Sequence, residues 1–196
     1  MTRRPLRSLA RANRGAAIIE FAIVAPVMMI VLMGLSDLAY QVYAQSILDG
    51  ALQKAGRDSA IQGGANNTAA IDAKVTGMVR NIAANASITI TRKNYNSFSV
   101  IKPETFTDTN GNGVRDAGEC FVDINGNGVW DADPGLAGQG GADDVTMYSA
   151  TVTYPRLFPV AGLFGWSSTQ TITASTLLKN QPYATQSVAT PTTICT

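Results

Sequence analysis

From Ala16 to Leu35 twenty residues run almost without polarity, and Glu20 is the only charge among them. At about 1.5 Å of rise per residue, a helix of that length covers roughly the 30 Å of bilayer hydrocarbon. Beyond it the pattern changes from uniform to striped. Tyr40, Tyr43, Ala44, Ile47, Leu48, Ala51, Leu52 and Ala55 recur at three- and four-residue spacing, which is one apolar face of an amphipathic helix. Joined, the two patterns predict one helix from Ala16 to Ala60, roughly 65 Å long at the standard rise. The alternative is a membrane anchor followed by a separate helix, with the break at Gly34-Leu35-Ser36-Asp37. Pro26 removes one backbone hydrogen bond and is expected to bend the helix without ending it.

After the punctuation of Gly63-Gly64-Ala65-Asn66-Asn67, with Asn67 or Thr68 as cap, a second helix is expected from Ala69 to about Ala84. Its buried face would carry Ile71, Val75, Met78, Val79 and Ile82. The period then shortens to two. Ile88 and Ile90, Phe98 and Val100, Tyr148 to Tyr154, and Ile172 to Thr176 alternate in Thr- and Val-rich surroundings, the mark of half-buried strands. Four mostly antiparallel strands follow, with Arg92 to Asn96 as a hairpin turn. The fold class is therefore α+β: a long N-terminal membrane-spanning helix continuing into a small domain with a second helix and a mostly antiparallel four-stranded sheet. The apolar run Leu157 to Trp166 is read as core packing, with docking to a membrane surface or a partner as the alternative. The expected organisation is a leader at 1–15, the long helix at 16–60, an extracytoplasmic domain at 61–180 with an insert at 106–144, and a polar tail at 181–196.

Charge orients the span. Arg3, Arg4, Arg7, Arg11 and Arg14 precede it with no acid among them, and the positive-inside bias keeps that end cytoplasmic and sends the remainder outward. A secretory signal has an apolar core of about 7–15 residues before a small-residue cleavage site. This core is longer, and only the weak site near Ser36 to Ala39 follows it. Glu20 is the anomaly, because an ionisable residue deep in a membrane costs on the order of 2.5–3.5 kcal/mol and usually marks function. Near the end of the span, its carboxylate can also reach the headgroup layer as a tolerated interfacial group.

A basic leader, Gly15, four residues, Glu20 and then Phe21 resemble the prepilins of type IV-related systems. More narrowly they resemble the TadE-like minor pseudopilins of the tight-adherence (Tad) pilus machinery. The resemblance implies that a prepilin peptidase of the inner membrane cuts between Gly15 and Ala16, making Glu20 the fifth residue of the mature chain. It also implies other Tad pseudopilins, the pilin, the inner-membrane assembly platform and membrane lipid as partners. A new amino terminus at the membrane face would be a positive partner for a neighbouring subunit's Glu20 in a low-dielectric setting. The resemblance extends to Leu178-Lys179-Asn180-Gln181-Pro182-Tyr183, which is similar to a family ending that usually has Glu where Gln181 stands.

A second signal lies inside the domain. Phe-x-Asp-x-Asn-Gly-Asn-Gly-Val-x-Asp occurs at Phe106–Asp116 and again at Phe121–Asp131, a period of fifteen residues. Counted from Asp108, side-chain oxygens fall at positions 1, 3, 5, 9 and 12 as Asp108, Asn110, Asn112, Asp116 and Glu119, with the Val114 carbonyl at 7. This is the ligand schedule of an EF-hand calcium loop. The second unit supplies Asp123, Asn125, Asn127, the Val129 carbonyl and Asp131, but its twelfth position is Pro134. Asp133, Asp143 or Asp144 is expected to substitute. Position 8, usually a branched apolar residue, is Arg115 or Trp130, and the flanks are Gly/Pro-rich. The loops are closest to the short calcium loops of dockerin-like or thrombospondin-repeat segments, with affinity expected around 10⁻⁴–10⁻³ M. The competing reading is that Asn-Gly pairs only make tight turns. Against it, Asp108 to Asp144 holds eight acids and one base, and a loop so charged repels itself without a cation.

Cys120 stands between the two units and Cys195 is the penultimate residue. Both fall on the side expected to be oxidising, where they can pair with each other, pair between chains, or stay free. Removing the five leader arginines from fifteen basic residues leaves ten against fourteen acids, which gives nucleic-acid binding no support. With no histidine, no nucleophile beside a partner base and no phosphate-cradling loop, the chain is read as non-enzymatic. Two functions compete: a pilus-assembly pseudopilin with a calcium-binding insert, and a membrane-anchored calcium-dependent adhesion or binding protein outside the cytoplasm.

Overall fold

The computed structural model describes residues 14–61, 66–182, 185–186 and 188–195. The leader up to residue 13, Gly63 to Ala65 and Tyr183 lie outside them. Two compact units emerge, one made of the described residues before Ala44 together with Pro155–Gln170, the other of Ala44–Tyr154 with Thr171 onward.

Helix α1 runs unbroken over Arg14–Ala60, with Pro26 inside it. The break at Gly34–Asp37 does not occur, and Ser36 instead returns its hydroxyl to the Leu32 carbonyl at 2.8 Å, the i−4 bond a helix allows. The helix holds one window long and apolar enough to cross a membrane, none of it buried by protein. From Ala44 onward the stripe is covered: Ala44, Leu48, Ala51, Leu52 and Ala55 are all buried, whereas Tyr43 is exposed. Gly56 lets the strand carrying Thr176 and Leu178 come close, since a Cβ there would lie 2.3 Å from Leu178 Cδ1 and 2.9 Å from Thr176 Cγ2.

Helix α2 (Thr68–Arg80) buries Ile71, Val75 and Val79. It stops four residues short of the expected end, because Ile82 and Ala83 both donate to the Val79 carbonyl and tighten the last turn. Strands β1 (Ser87–Tyr95), β3 (Leu136–Ala137), β4 (Val145–Pro155) and β5 (Thr169–Lys179) form one sheet in the order β3-β1-β4-β5. β1 is antiparallel to both neighbours. β4 buries Tyr148, Ala150, Val152 and Tyr154 on alternate positions, the period-two signature of a sheet with one covered face.

Two strand expectations are corrected. Phe98–Val100 is a 3-10 turn, because Ser97 and Ser99 bond each other's hydroxyls at 2.8 Å and the Ser97 carbonyl takes the Val100 N–H. Local hydroxyl partners compete with a ladder there, and the sheet edge goes to Leu136–Ala137. Arg92–Asn96 is not a hairpin turn either. β1 continues to Tyr95, its Arg92 facing Tyr148 and its Asn94 facing both Thr146 and Leu136. Long-range partners held Arg92 in the strand: its guanidinium donates to Asp72 of α2 at 2.9 Å and lies 4.4 Å from the Tyr148 ring centre. The Tyr148 hydroxyl also donates to Asp72; burial first, then this bond to a carboxylate, pushes its pKa up.

Core packing for Leu157–Trp166 is also corrected. Between β4 and β5 a four-residue helix α3 (Val160–Leu163) buries only Ala161 and leaves Leu157, Leu163, Phe164 and Trp166 exposed. At the other end of β5 the motif residue Asn180 is fully buried. It donates to the carbonyls of Gly141 and Gln139 at 2.7 and 3.0 Å, while Gln181 N–H reaches the last carbonyl of α1 at Ala60.

A separate two-stranded sheet pairs β2 (Cys120–Asp123) with β6 (Thr192–Cys195). Cys120 and Cys195 face each other in its register and form a disulfide, which closes a 75-residue separation.

Candidate functional site

Gly15, Ala16, Glu20 and Phe21 all lie in the first turns of α1. Gly15, Glu20 and Phe21 are exposed, so the carboxylate and the ring are presented on an uncovered helix face. An isolated apolar helix with one carboxylate near its end has nothing of its own to satisfy that charge, and it must find a partner or the headgroup layer.

The Asn-Gly-Asn-Gly segments build two nearly identical loops. In the first, the Asp108 carboxylate accepts the N–H groups of Gly111, Asn112 and Gly113 at 2.7, 3.2 and 2.8 Å. Those bonds, the one from Gly113 foremost, hold its pKa below the usual carboxylate range. Gly111 and Gly113 both sit at φ +75°, a conformation that glycine adopts without steric cost. The amides of Asn110 and Asn112 converge on the same oxygen of Asp116 at 2.7 and 2.8 Å. Glu119 closes the ring, taking the Thr109 N–H at 2.7 Å on one oxygen and the Asp116 N–H at 3.0 Å on the other.

Fifteen residues later the geometry repeats. Asp123 accepts from Gly126, Asn127 and Gly128, with the glycines at φ +77° and +79°. Asn125 and Asn127 converge on Asp131 at 2.8 and 2.7 Å. None of Asp133, Asp143 and Asp144 makes the hydrogen bonds that Glu119 makes in the first loop. Asp133 pairs with Lys93 and takes the Tyr95 hydroxyl at 2.7 Å. Burial would raise its pKa, but the bonds from Lys93, Tyr95 and Gly135 outweigh that and hold it low. Asp143 pairs with Lys179 at 2.9 Å, and Asp144 takes Gly141 N–H and the Gln186 amide at 2.7 Å each. The matching bonds are made by Glu104, only 1% exposed, which accepts the Ile124 N–H at 2.8 Å and the Asp131 N–H at 3.0 Å.

Glu104 is Glu119 shifted by one repeat, so the unit is longer than its glycine core: Glu-x-Phe-x-Asp-x-Asn-Gly-Asn-Gly-Val-x-Asp. Each glutamate closes the loop of the other repeat, and everything around it is exchanged in the same way. Thr107 N–H donates to the Cys120 carbonyl at 2.8 Å and Val122 N–H to the Thr105 carbonyl at 2.9 Å, across a Phe106–Phe121 bridge. Trp130 meets Phe106 edge-on at 6.0 Å and donates to the Glu104 carbonyl at 2.8 Å. Arg115, its counterpart, lies 5.2 Å from the Phe121 ring centre and donates to the Glu119 carbonyl at 3.3 Å. This explains why position 8 is Arg or Trp: the residue reaches across to the other repeat. The signal that could have found Glu104 was in the sequence, two residues upstream of each repeated phenylalanine.

Chemically, each loop offers oxygen donors alone, which suits a hard cation such as calcium and not a softer metal. As folded here the loops close on themselves with amide and backbone hydrogens. Among the described residues, no group of three or more His, Cys, Asp or Glu side chains is gathered as a metal cluster.

Comparison with known proteins bears on the helix and not on the loops. No curated protein and no solved structure matches the chain. The sequence model of the family described as TadE-like protein matches residues 15–57, which is α1 from Gly15 almost to its end. Over that segment the chain is similar to the TadE-like proteins.

Proposed function

We propose that the protein is a non-enzymatic pseudopilin that serves assembly of a Tad-type pilus, anchored once in the bacterial inner membrane with its amino terminus cytoplasmic and its domain periplasmic. Prepilin peptidase cuts between Gly15 and Ala16, and Glu20 then docks α1 beside the helices of other pilus subunits or the assembly platform. The observation that carries this reading is the family match over residues 15–57 laid on one uninterrupted helix. The paired loops are its second part: a calcium-binding insert in which Asp108, Asn110, Asn112, Val114, Asp116 and Glu119 serve one ion and Asp123, Asn125, Asn127, Val129, Asp131 and Glu104 the other. The oxygen-only donor sets and the acidity of the segment support it.

Intact mass of the protein purified from membranes of a cell with an active prepilin peptidase tests the first part. A chain starting at Ala16 is expected, and replacing Gly15 by a bulky residue should leave it full length. A polypeptide that still begins at Met1 in the unsubstituted protein would end the pseudopilin reading.

A further inference from the structure

We propose that the β4–β5 connection is a second membrane contact, a wedge whose Leu163, Phe164 and Trp166 side chains enter the outer interface of the bilayer beside α1. The proposal rests on the membrane-anchor reading of α1 and adds to it a depth and a partner, the phospholipid interface itself.

Leu163, Phe164 and Trp166 are 69%, 62% and 67% exposed on one short connection, and the two rings lie 5.8 Å apart. Three large apolar side chains grouped this way are not the scattered exposure ordinary surfaces tolerate. The connection meets α1 near the end of the apolar span. Phe164 and Trp166 share a groove with Ile30, Gly34 and Leu38, so the rings flank the last turns of the apolar span that ends at Leu35. Ile30 lies about 7.5 Å below that end at the helical rise. That is the depth to which interfacial segments bury, roughly 5–10 Å.

The polar groups are arranged to match. Arg156 donates to Asp37, two residues past the span, and the Leu157 N–H reaches the same carboxylate at 3.4 Å. This charge pair stands just past the apolar span and lines the same groove as Phe164 and Trp166. The backbone of the wedge is closed on itself, with Phe164 and Trp166 N–H groups on the Ala161 carbonyl and Gly165 N–H on Gly162. A segment entering a low-dielectric layer needs that internal satisfaction, and tryptophan is the residue most at home there.

The full-length protein in phosphatidylcholine/phosphatidylglycerol vesicles tests this through Trp166 fluorescence, read as the difference between the unsubstituted protein and Trp166→Phe. Lipids brominated near the carbonyl end of the acyl chain should abolish the Trp166 contribution, and aqueous iodide should leave it. Quenching by iodide without bromolipid overturns the wedge, as does protection from both, which would mean that a second protein copy covers the rings. Met28→Trp in the Trp166→Phe background separates the two readings. If this span reporter is quenched by bromolipid and Trp166 is not, the wedge alone fails; if neither is quenched, the anchor fails with it.

Discussion

The two calcium-type loops carry the same residues at the same spacing, yet they live in different surroundings. Loop one lies open: Asp108, Gly111 and Gly113 are exposed, and its closing Glu119 comes from its own chain direction at position 12. Loop two is buried at its entry. Asp123 is 2% exposed, its closing Glu104 is reached backwards from before loop one, and Ile124 and Asn125 line a cleft with Tyr95 of β1 and Val188 and Ala189 of the tail. Identical local chemistry therefore does not mean equivalent loops. The first is organised mostly by its own hydrogen bonds, the second by what is packed around it.

The strongest way to break that contrast is to cut the tail loose. Cys120→Ser with Cys195→Ser should cost about 4 kcal/mol in the chain-entropy account of a loop this long. Because β6 is attached at the entry to loop two, amide exchange there should accelerate well beyond that in loop one. Equal acceleration in both loops would contradict the division.

Next in size are the exchanged glutamates. Glu104→Ala strands two N–H groups, those of Ile124 and Asp131, in half-buried surroundings. It should destabilise the detergent-purified protein by about 2–4 kcal/mol, given the cost of losing charge-assisted bonds and leaving buried donors unpaired. Glu119→Ala also frees two N–H groups, those of Thr109 and Asp116, but Thr109 lies in an exposed loop where water replaces part of the loss, and about 1–2 kcal/mol is expected. Thermal melts of the two variants that come out in the reverse order would refute the assignment of Glu104 as the buried keystone of the pair.

Smallest is the effect of calcium. At a dissociation constant near 10⁻⁴ M, one millimolar ion should stabilise each loop by roughly 1–2 kcal/mol through mass action. Glu104→Gln and Glu119→Gln should each weaken binding at the loop they close and not at the one they precede. Titration calorimetry showing no calcium heat in the unsubstituted protein would leave the Asn-Gly segments as turns only.

How much of this was readable beforehand varied along the chain. The α1 boundaries, the buried stripe from Ala44 to Ala55 and the alternation of β4 were legible, because helix and strand periods are local properties repeated many times over. Phe98 and Val100 misled as a strand, since two alternate apolar residues are too few to distinguish a ladder from a serine-rich turn. Arg92 to Asn96 misled as a turn, because polar residues in β1 are held there by Asp72, Thr146 and Leu136, all distant in sequence. The loop formed by Asp108 to Glu119 was legible for the same reason as the helix: one contiguous turn brings its side-chain oxygens together. Glu104 was visible as the repeat partner of Glu119 but not as part of the second loop, which begins nineteen residues later.

Sequence alone determined that this protein has a membrane-length helix starting near Ala16, that its upper half needs a domain to cover it, and that two fifteen-residue units repeat one oxygen-donor schedule. All three are consequences of spacing within a contiguous stretch. Only the tertiary structure decided that the repeats clasp each other and exchange glutamates, that Cys120 meets Cys195, and that Leu163, Phe164 and Trp166 face outward beside the end of the span. Those depend on which distant segments meet, and a residue's neighbours in space are chosen by the packing of the whole chain, not by the residues beside it.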